Sequence, residues 1–458
     1  MKNLKKVFSK ITAILIITFL VLGLIGCKKK PPAAKLPPVS LTYYKLFDDT
    51  TAIDPIIKNF QKQYPHIQIN YRKFTDPQAY EDLIVSEIAE GTGPDIFSMP
   101  QTWIANNYKK LTPAPTDLIP EEAYKNTFLD IAWKDLAYKT GENETPEIYG
   151  VPLSIDTLAV YYNKDHFEKK IPEQGKPSNS WIGLNADILK LKELDADNKL
   201  LIAGAQLGNP SYQARTMDII LNILLQSQTK LYDKSYKNIR LTSQDVVDAF
   251  EYYTNFANPQ SPSFTALELA TSESAIDQFV KGEISMLLDY SHAYKDIIDR
   301  IKIYERANKQ TIDPTSVRIS KLPQLSDNPN DEINLASYFV ETVSRTSKHP
   351  RESWAFLRFL VSQESLRSYY KTGGFKPTSR RDLINEQKQN AIYRPFVEQL
   401  GFARTFPMTD QTSYRNYFDN AVTKIIEGYG IENVLLETQN LINQTILNPN
   451  GFVPPQAN

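Results

Sequence analysis

The chain has 458 residues, with 52 basic and 53 acidic side chains, a formal net charge of −1 and one cysteine. That balance argues against nucleic acid as a partner, and a lone cysteine excludes an intramolecular disulfide or a thiolate metal cluster. The length exceeds what one simple core organises, so two domains are expected.

Lys2, Lys5, Lys6 and Lys10 precede an almost wholly apolar run, Ile11 to Ile25. This is a targeting leader, too short for a comfortable membrane span. It ends Leu24-Ile25-Gly26-Cys27, which resembles the lipobox of bacterial lipoproteins. The resemblance implies a signal peptide over 1–26, cleavage before Cys27 and a diacylglycerol on its thiol. Residues 27–38 then form a stiff tether with four prolines, whose lysines 28, 29, 30 and 35 suit anionic headgroups. Without the four leader lysines the charge is −5, and without the four tether lysines the body from Val39 carries −9. A body of that sign argues against nucleic acid as a partner.

Ser40 to Phe47 is β-rich and reads as a strand, followed by the polar loop Asp48-Asp49-Thr50. Ile56, Ile57, Phe60 and Tyr64 recur at helical spacing up to Pro65. Ile67 to Phe74 alternates as a strand. Tyr80, Leu83, Ile84 and Ile88 mark a helix closed by Gly91, and Asp95-Ile96-Phe97 begins a third strand. This β-α-β-α-β order predicts a parallel sheet with right-handed crossovers. Ligands gather beyond the carboxyl ends of such strands, which puts Asp48, Asp49 and Trp103 on a cleft rim. Helix packing is the alternative for Trp103.

Tyr149 to Phe167 reads YGVPLSIDTLAVYYNKDHF and organises the rest. Gly150 and Pro152 end one unit; Leu158 to Tyr162 is a buried strand; Asn163 caps a helix. Between them lie Ser154, Asp156 and Thr157. A carboxylate between two apolar runs is costly unless it is paired, hydrogen-bonded or facing water in a cleft. Capping a turn is the alternative for Asp156. Trp181 follows, and Ile188, Leu189, Leu191 and Leu194 continue as a helix, with Trp181 read as core. Leu200 to Ala205 is a strand with the loop QLGNPS after it, and Met217 to Leu225 is an apolar helix. Phe279 to His292 reads FVKGEISMLLDYSH: helix, Gly282 stop, strand Ile284 to Leu288, polar-aromatic loop. Val317 to Leu325 with Pro323, and Gly373 to Thr378, read as further crossings between units. Ala336 to Thr342 is a strand, and Tyr414 to Ile426 and Val434 to Ile446 are helices.

In order and spacing, Tyr149–Phe167, Gly91–Pro100, Phe279–His292 and Ser347–Pro350 together resemble the extracellular solute-binding proteins of ABC importers, the maltose-binding type. The resemblance runs from Ser40 to about Asn443. It implies an α/β fold, periplasmic-binding-protein-like type II. Two lobes, each a mainly parallel sheet flanked by helices, would face a ligand cleft. The expected lobes are 39–154 plus 324–372, and 155–323 plus 373–458, with hinges at Ser154–Asp156, Leu322–Gln324 and Gly373–Lys376. It also implies ligand contacts at Asp156, Thr157, Asn209, Asp289, Tyr290, His292 and Tyr414. Family members carry glycines where Leu335-Ala336-Ser337-Tyr338 stands, so Tyr338 is expected to fill cleft volume.

The implied function is a lipid-anchored, monomeric binding protein at the outer face of the cell membrane, passing a carbohydrate to ABC permease subunits. Flat aromatics suit the apolar face of a sugar, and carboxylates and amides suit its hydroxyls. A cationic ligand such as a polyamine is the alternative, as is a surface sensor without transport. A hydrolase is disfavoured: no G-x-S-x-G or H-E-x-x-H is present, and the four histidines are scattered. No cofactor and no metal are expected. If Cys27 carries the anchor, Cys27→Ala moves the protein from the membrane fraction to the soluble fraction; identical partitioning of the two forms refutes it.

Overall fold

The computed structural model describes residues 36–139, 145–233, 238–265, 273–373, 376–408 and 410–445. The leader, Cys27, most of the tether, Gly374, Phe375 and the Pro454-Pro455 tail lie outside the described residues. No described helix is long and apolar enough to cross a membrane.

The first body begins as its periodicities predict. Strand β1 (Val39–Leu46) is followed by helix α1 (Thr50–Gln63), β2 (Ile67–Phe74), α2 (Pro77–Glu90) and β3 (Ile96–Pro100). Helix α1 buries Ala52, Ile53, Ile56, Ile57 and Phe60 along one stripe. Asp76 caps α2 through the Ala79 N–H, and Gly91 ends it at φ 74°, a left-handed turn that glycine makes at no steric cost. Further on come α3 (Asp130–Leu136) and β4 (Val151–Pro152). The sheet order is β2-β1-β3-β10-β4, where β10 is Phe339–Val343. Strands β1, β2 and β3 are mutually parallel, but β10 runs antiparallel to both β3 and β4. Gly150 lets β4 close on β10: a Cβ there would stand 2.2 Å from Val340 Cγ1.

The second body is built on β6 (Ala159–Asn163), which follows β5 (Asp156–Thr157). Every residue of β6 is buried. Val160 and Tyr162 pack on one face with Trp181, Met217 and Phe250. Ala159 and Tyr161 pack on the other with Phe279, Leu287 and Ile297. Helix α4 (Thr216–Gln226) lies on the first of these faces; β7 (Met286–Asp289), α5 (Ala293–Arg306) and β8 (Val317–Lys321) follow. Both β7 and β8 run antiparallel to β6. The first sheet is therefore mixed and the strand pairs of the second are antiparallel, where mainly parallel sheets were expected. A strand entering either body from the other starts at the cleft, so it must oppose strands that end there. Trp181 is core, as its setting suggested, with its N–H donated to Gln226 Oε1 at 2.8 Å.

After β8 come β9 (Asn334–Ser337), β10, α6 (Pro350–Leu360), α7 (Gln363–Thr372), α8 (Arg394–Gln399), β11 (Ala403–Arg404), α9 (Gln411–Ile426) and α10 (Ile431–Thr445). The packing puts two passages between the cores later in the chain than the punctuation suggested. Residues past Pro323 stay on the second body: Gln226 donates to the carbonyls of Pro323 and Ile333, and Asn222 accepts from the Leu335 N–H. Residues after Lys376 return to the first body, where Ser379 donates to the Pro152 carbonyl and Leu383, Val397 and Leu400 join the first core. The chain changes cores at Ile155–Leu158, Leu335–Ala336 and Ala403–Phe406.

The three passages are one small sheet, ordered β11-β9-β5. Ala336 and Ser337 pair with Thr157 and Asp156, and Asn334 and Leu335 pair with Ala403 and Arg404. Gln399, fully buried, bonds Thr157 Oγ1, the Leu158 carbonyl and the Leu322 N–H. Replacing it with leucine strands the Leu322 N–H in the interior. Gln399→Leu is expected to lower unfolding free energy by about 1–3 kcal/mol in urea titrations; an unchanged midpoint contradicts this.

Candidate functional site

One wall grows from the end of β1. Asp48 is buried, and its carboxylate accepts from Tyr369 and Lys376 and lies 3.3 Å from Lys45 Nζ. Burial alone would raise its pKa, but Lys376 and Lys45 hold it down to about 2. Lys45 in turn pairs with Glu341 of β10, which also accepts from Tyr43 at 2.8 Å. Burial works against the Lys45 charge, but Glu341 and Asp48 outweigh it and raise its pKa. Asp49 is exposed and pairs with Lys73. Trp103, half-buried after β3, packs against the first core.

The other wall grows from the ends of β5 and β7. Asp156 accepts from the Ser291 N–H at 3.1 Å, the Ser291 hydroxyl at 2.6 Å and the Thr157 N–H at 2.9 Å. Burial is the main cause lifting its carboxyl to about 7, against those hydrogen bonds and with a small push from Asp289. Asp289 pairs with Arg215 Nε at 2.7 Å. The Arg215 guanidinium lies 5.2 Å above the Tyr290 ring, and its Nη2 is 3.0 Å from His292 Nε2. Burial opposes the Arg215 charge, yet Asp289 and Asp218 outweigh that and raise its pKa. Tyr290 is buried, and its hydroxyl has no hydrogen-bond partner among the described residues.

The walls face each other. His292 keeps half its surface in water yet is enclosed enough that burial lowers its pKa; Arg215 adds to this, and Lys376 of the first wall still contributes. Lys295 of α5, raised first by Asp299, is also raised by Asp49. Glu81 of α2, raised first by burial, is raised further by Asp410 at the start of α9.

The structure thus groups Asp48 and Asp49 on one wall and Asp156, Asp289, Tyr290 and His292 on the other. It draws the remaining candidates elsewhere. Thr157 is fully buried in the hinge sheet under Gln399. Tyr338 does not reach open cleft volume: it is buried, with its hydroxyl on Asp135 at 2.7 Å. Tyr414 is fully buried in the second core, 2.7 Å from the Tyr232 hydroxyl. Asn209 caps its own turn through the Ser211 N–H. Three side chains went unread in the sequence. Arg215, Lys376 and Ser291 are all set by partners distant in the chain, and only the neighbourhood of Asn209 and Asp289 hinted at them. No described cluster of three or more His, Cys, Asp or Glu residues could hold a metal ion.

Residues 55–389 match the family model described as bacterial extracellular solute-binding protein. A binding protein of Brucella abortus (strain 2308) is 19% identical over 391 residues, 84% of this chain and 87% of that one. A cyclo/maltodextrin-binding protein solved with maltotetraose superposes at TM-score 0.69 with 18% identity, over 91% of this chain and 100% of its own. The Listeria monocytogenes substrate-binding protein Lmo0181, solved with cycloalternan, gives 0.67 and 19%, over 89% and 99%. The fold is therefore the two-lobed arrangement of the maltose-binding type.

Asp135 of α3 links two passages of the hinge, accepting from Tyr338 and from Thr405 Oγ1 at 2.8 Å, and burial lifts its carboxyl to about 6. Asp135 and Asp156 are held above their ordinary 3.8, so the folded state keeps protons the unfolded chain releases. Their contribution to stability is full below pH 3.8 and is lost as pH rises through about 6 and about 7. Asp48 works oppositely: its contribution is present above 3.8 and is lost as pH falls through about 2. Melting temperature should therefore decline from mildly acidic to mildly alkaline pH, and Asp135→Asn or Asp156→Asn should flatten that decline. A wild-type profile that is level there refutes the assignment.

Proposed function

We propose that this chain, which belongs to the bacterial extracellular solute-binding proteins, captures an uncharged oligosaccharide between its two lobes. Its family makes it a binding protein and not an enzyme. In this reading a lipid on Cys27 holds it at the outer face of the membrane, and ABC permease subunits receive the ligand from the closed form. Closure follows from the ligand's preference for the closed state, not from occupancy alone.

The observation that carries the ligand class is charge compensation. Asp48 is matched by Lys45 and Lys376, Asp49 by Lys73 and Asp289 by Arg215, while Asp156 titrates near neutrality instead of carrying a fixed charge. A polyamine requires free carboxylates, and Asp48, Asp49, Asp156 and Asp289 are each paired or suppressed. A sugar requires fixed hydrogen-bond donors and acceptors beside apolar surface, and ion pairs that keep spare lone pairs and N–H groups supply them. The solved structures with bound maltotetraose and cycloalternan, similar in fold, add to this reading.

Calorimetry of the body from Val39 against neutral oligosaccharides and polyamines tests it. We expect saccharide binding whose affinity changes by less than roughly twofold between low and high salt, since a neutral ligand has no charge to screen. Binding of polyamines alone, weakening with salt, overturns the reading.

A further inference from the structure

Phe47 is the first residue after β1 and has φ 72°. The other described non-glycine residues with positive φ are Asn198, Gln228 and Asn308. Asparagine tolerates this region, but a bulky aromatic there is an outlier. The turn itself does not call for a side chain. It swings Asp48 beneath the strand toward Lys45 and Lys376, with the Phe47 N–H on the Phe74 carbonyl at 2.7 Å and the Asp48 N–H on the Leu46 carbonyl at 3.0 Å. A glycine would make the same turn without strain.

Core packing does not explain the ring either. Phe47 is 48% exposed. Its one aromatic neighbour among the described residues is Phe339, the first residue of β10, which meets it edge to face at 6.0 Å and 81°. That geometry orients the ring, which stays about half exposed. The position is also specific. Asp48, next in the chain, pairs with Lys376, whose charge reaches His292 of the opposite wall, and Asp49 after it reaches Lys295. A strained backbone that holds a half-exposed apolar ring next to Asp48 and Asp49 points to a surface kept for something that enters the cleft.

We propose that Phe47 is a specificity-determining residue: a platform, oriented by Phe339, on which the apolar face of a sugar ring stacks while Asp48 and Lys376 meet its hydroxyl edge. This rests on the carbohydrate reading for the identity of what stacks. The placement of Phe47 itself does not depend on it.

Stability and binding should move in opposite directions when the ring is removed. Phe47→Gly and Phe47→Asn both relieve the backbone and delete the platform. We expect each to melt at or above the wild-type temperature and to lose about tenfold or more in affinity for maltotetraose, or for the best binder of a neutral oligosaccharide panel. A drop in melting temperature for both variants assigns the ring to packing and overturns the proposal, whatever binding does. Unchanged affinity overturns it as well, whatever the melting temperature does. If the wild type binds no saccharide of the panel, the carbohydrate reading falls, and the melting temperatures still decide whether the Phe47 ring serves the fold.

Discussion

Three strands that leave one core for the other carry backbone N–H and C=O groups through a narrow waist. Each such group must find a partner or lose the hydrogen bonds it had in water. Here the strands solve this together, with β5 and β11 both paired to β9. The side chains around them complete the accounting: Gln399 ties β5 to Leu322, Asn334 donates to the Leu158 carbonyl, and Asp135 takes hydroxyls from both Tyr338 and Thr405. The lobes are thus joined by a hydrogen-bonded ribbon, not by independent linkers. Relative motion must bend or twist that ribbon as a unit, which favours hinge closure along one direction.

The same waist sets the electrostatics of the cleft. Asp156 belongs to the ribbon, yet its carboxylate is held by Ser291 of the second body. Asp48 sits at the end of β1 but reaches Lys376, on the segment leading from α7 back toward the hinge. Charges buried this way are tolerable because each has a partner of opposite sign or keeps a proton. Ion pairs at a cleft present oriented donors and acceptors while offsetting each other's charge. Such a surface distinguishes hydroxyl patterns better than it distinguishes charges.

Much of the architecture was legible in the chain because it rests on short-range patterns. The stripe of α1, the cap and left-handed stop of α2, the apolar run of β6 and the polar cap at Asn163 all rest on neighbours within a few residues. The passages between cores were less legible. Pro323 and Gly373 looked like boundaries, yet the chain as far as Leu335 stays hydrogen-bonded to α4 of the second body, and the chain after Lys376 folds back on the first core. A strand that crosses a waist has the composition of any short strand, so only its hydrogen-bond partners mark it.

The sequence by itself determined the alternation of strands and helices, the loop after β1 that carries Asp48 and the end of β7 that carries Asp289, because local periodicity and punctuation are properties of consecutive residues. Tertiary structure alone decided which aromatics stay exposed. Tyr338 and Tyr414 read as ligand contacts but lie buried against Asp135 and Tyr232, whereas Phe47, which read as the end of a strand, stands half in water. It alone also brought Arg215 to Asp289 and Lys376 to Asp48, pairs far apart in the chain. A side chain's exposure and its charge partner depend on what the rest of the chain packs against it, and no window of consecutive residues contains that information.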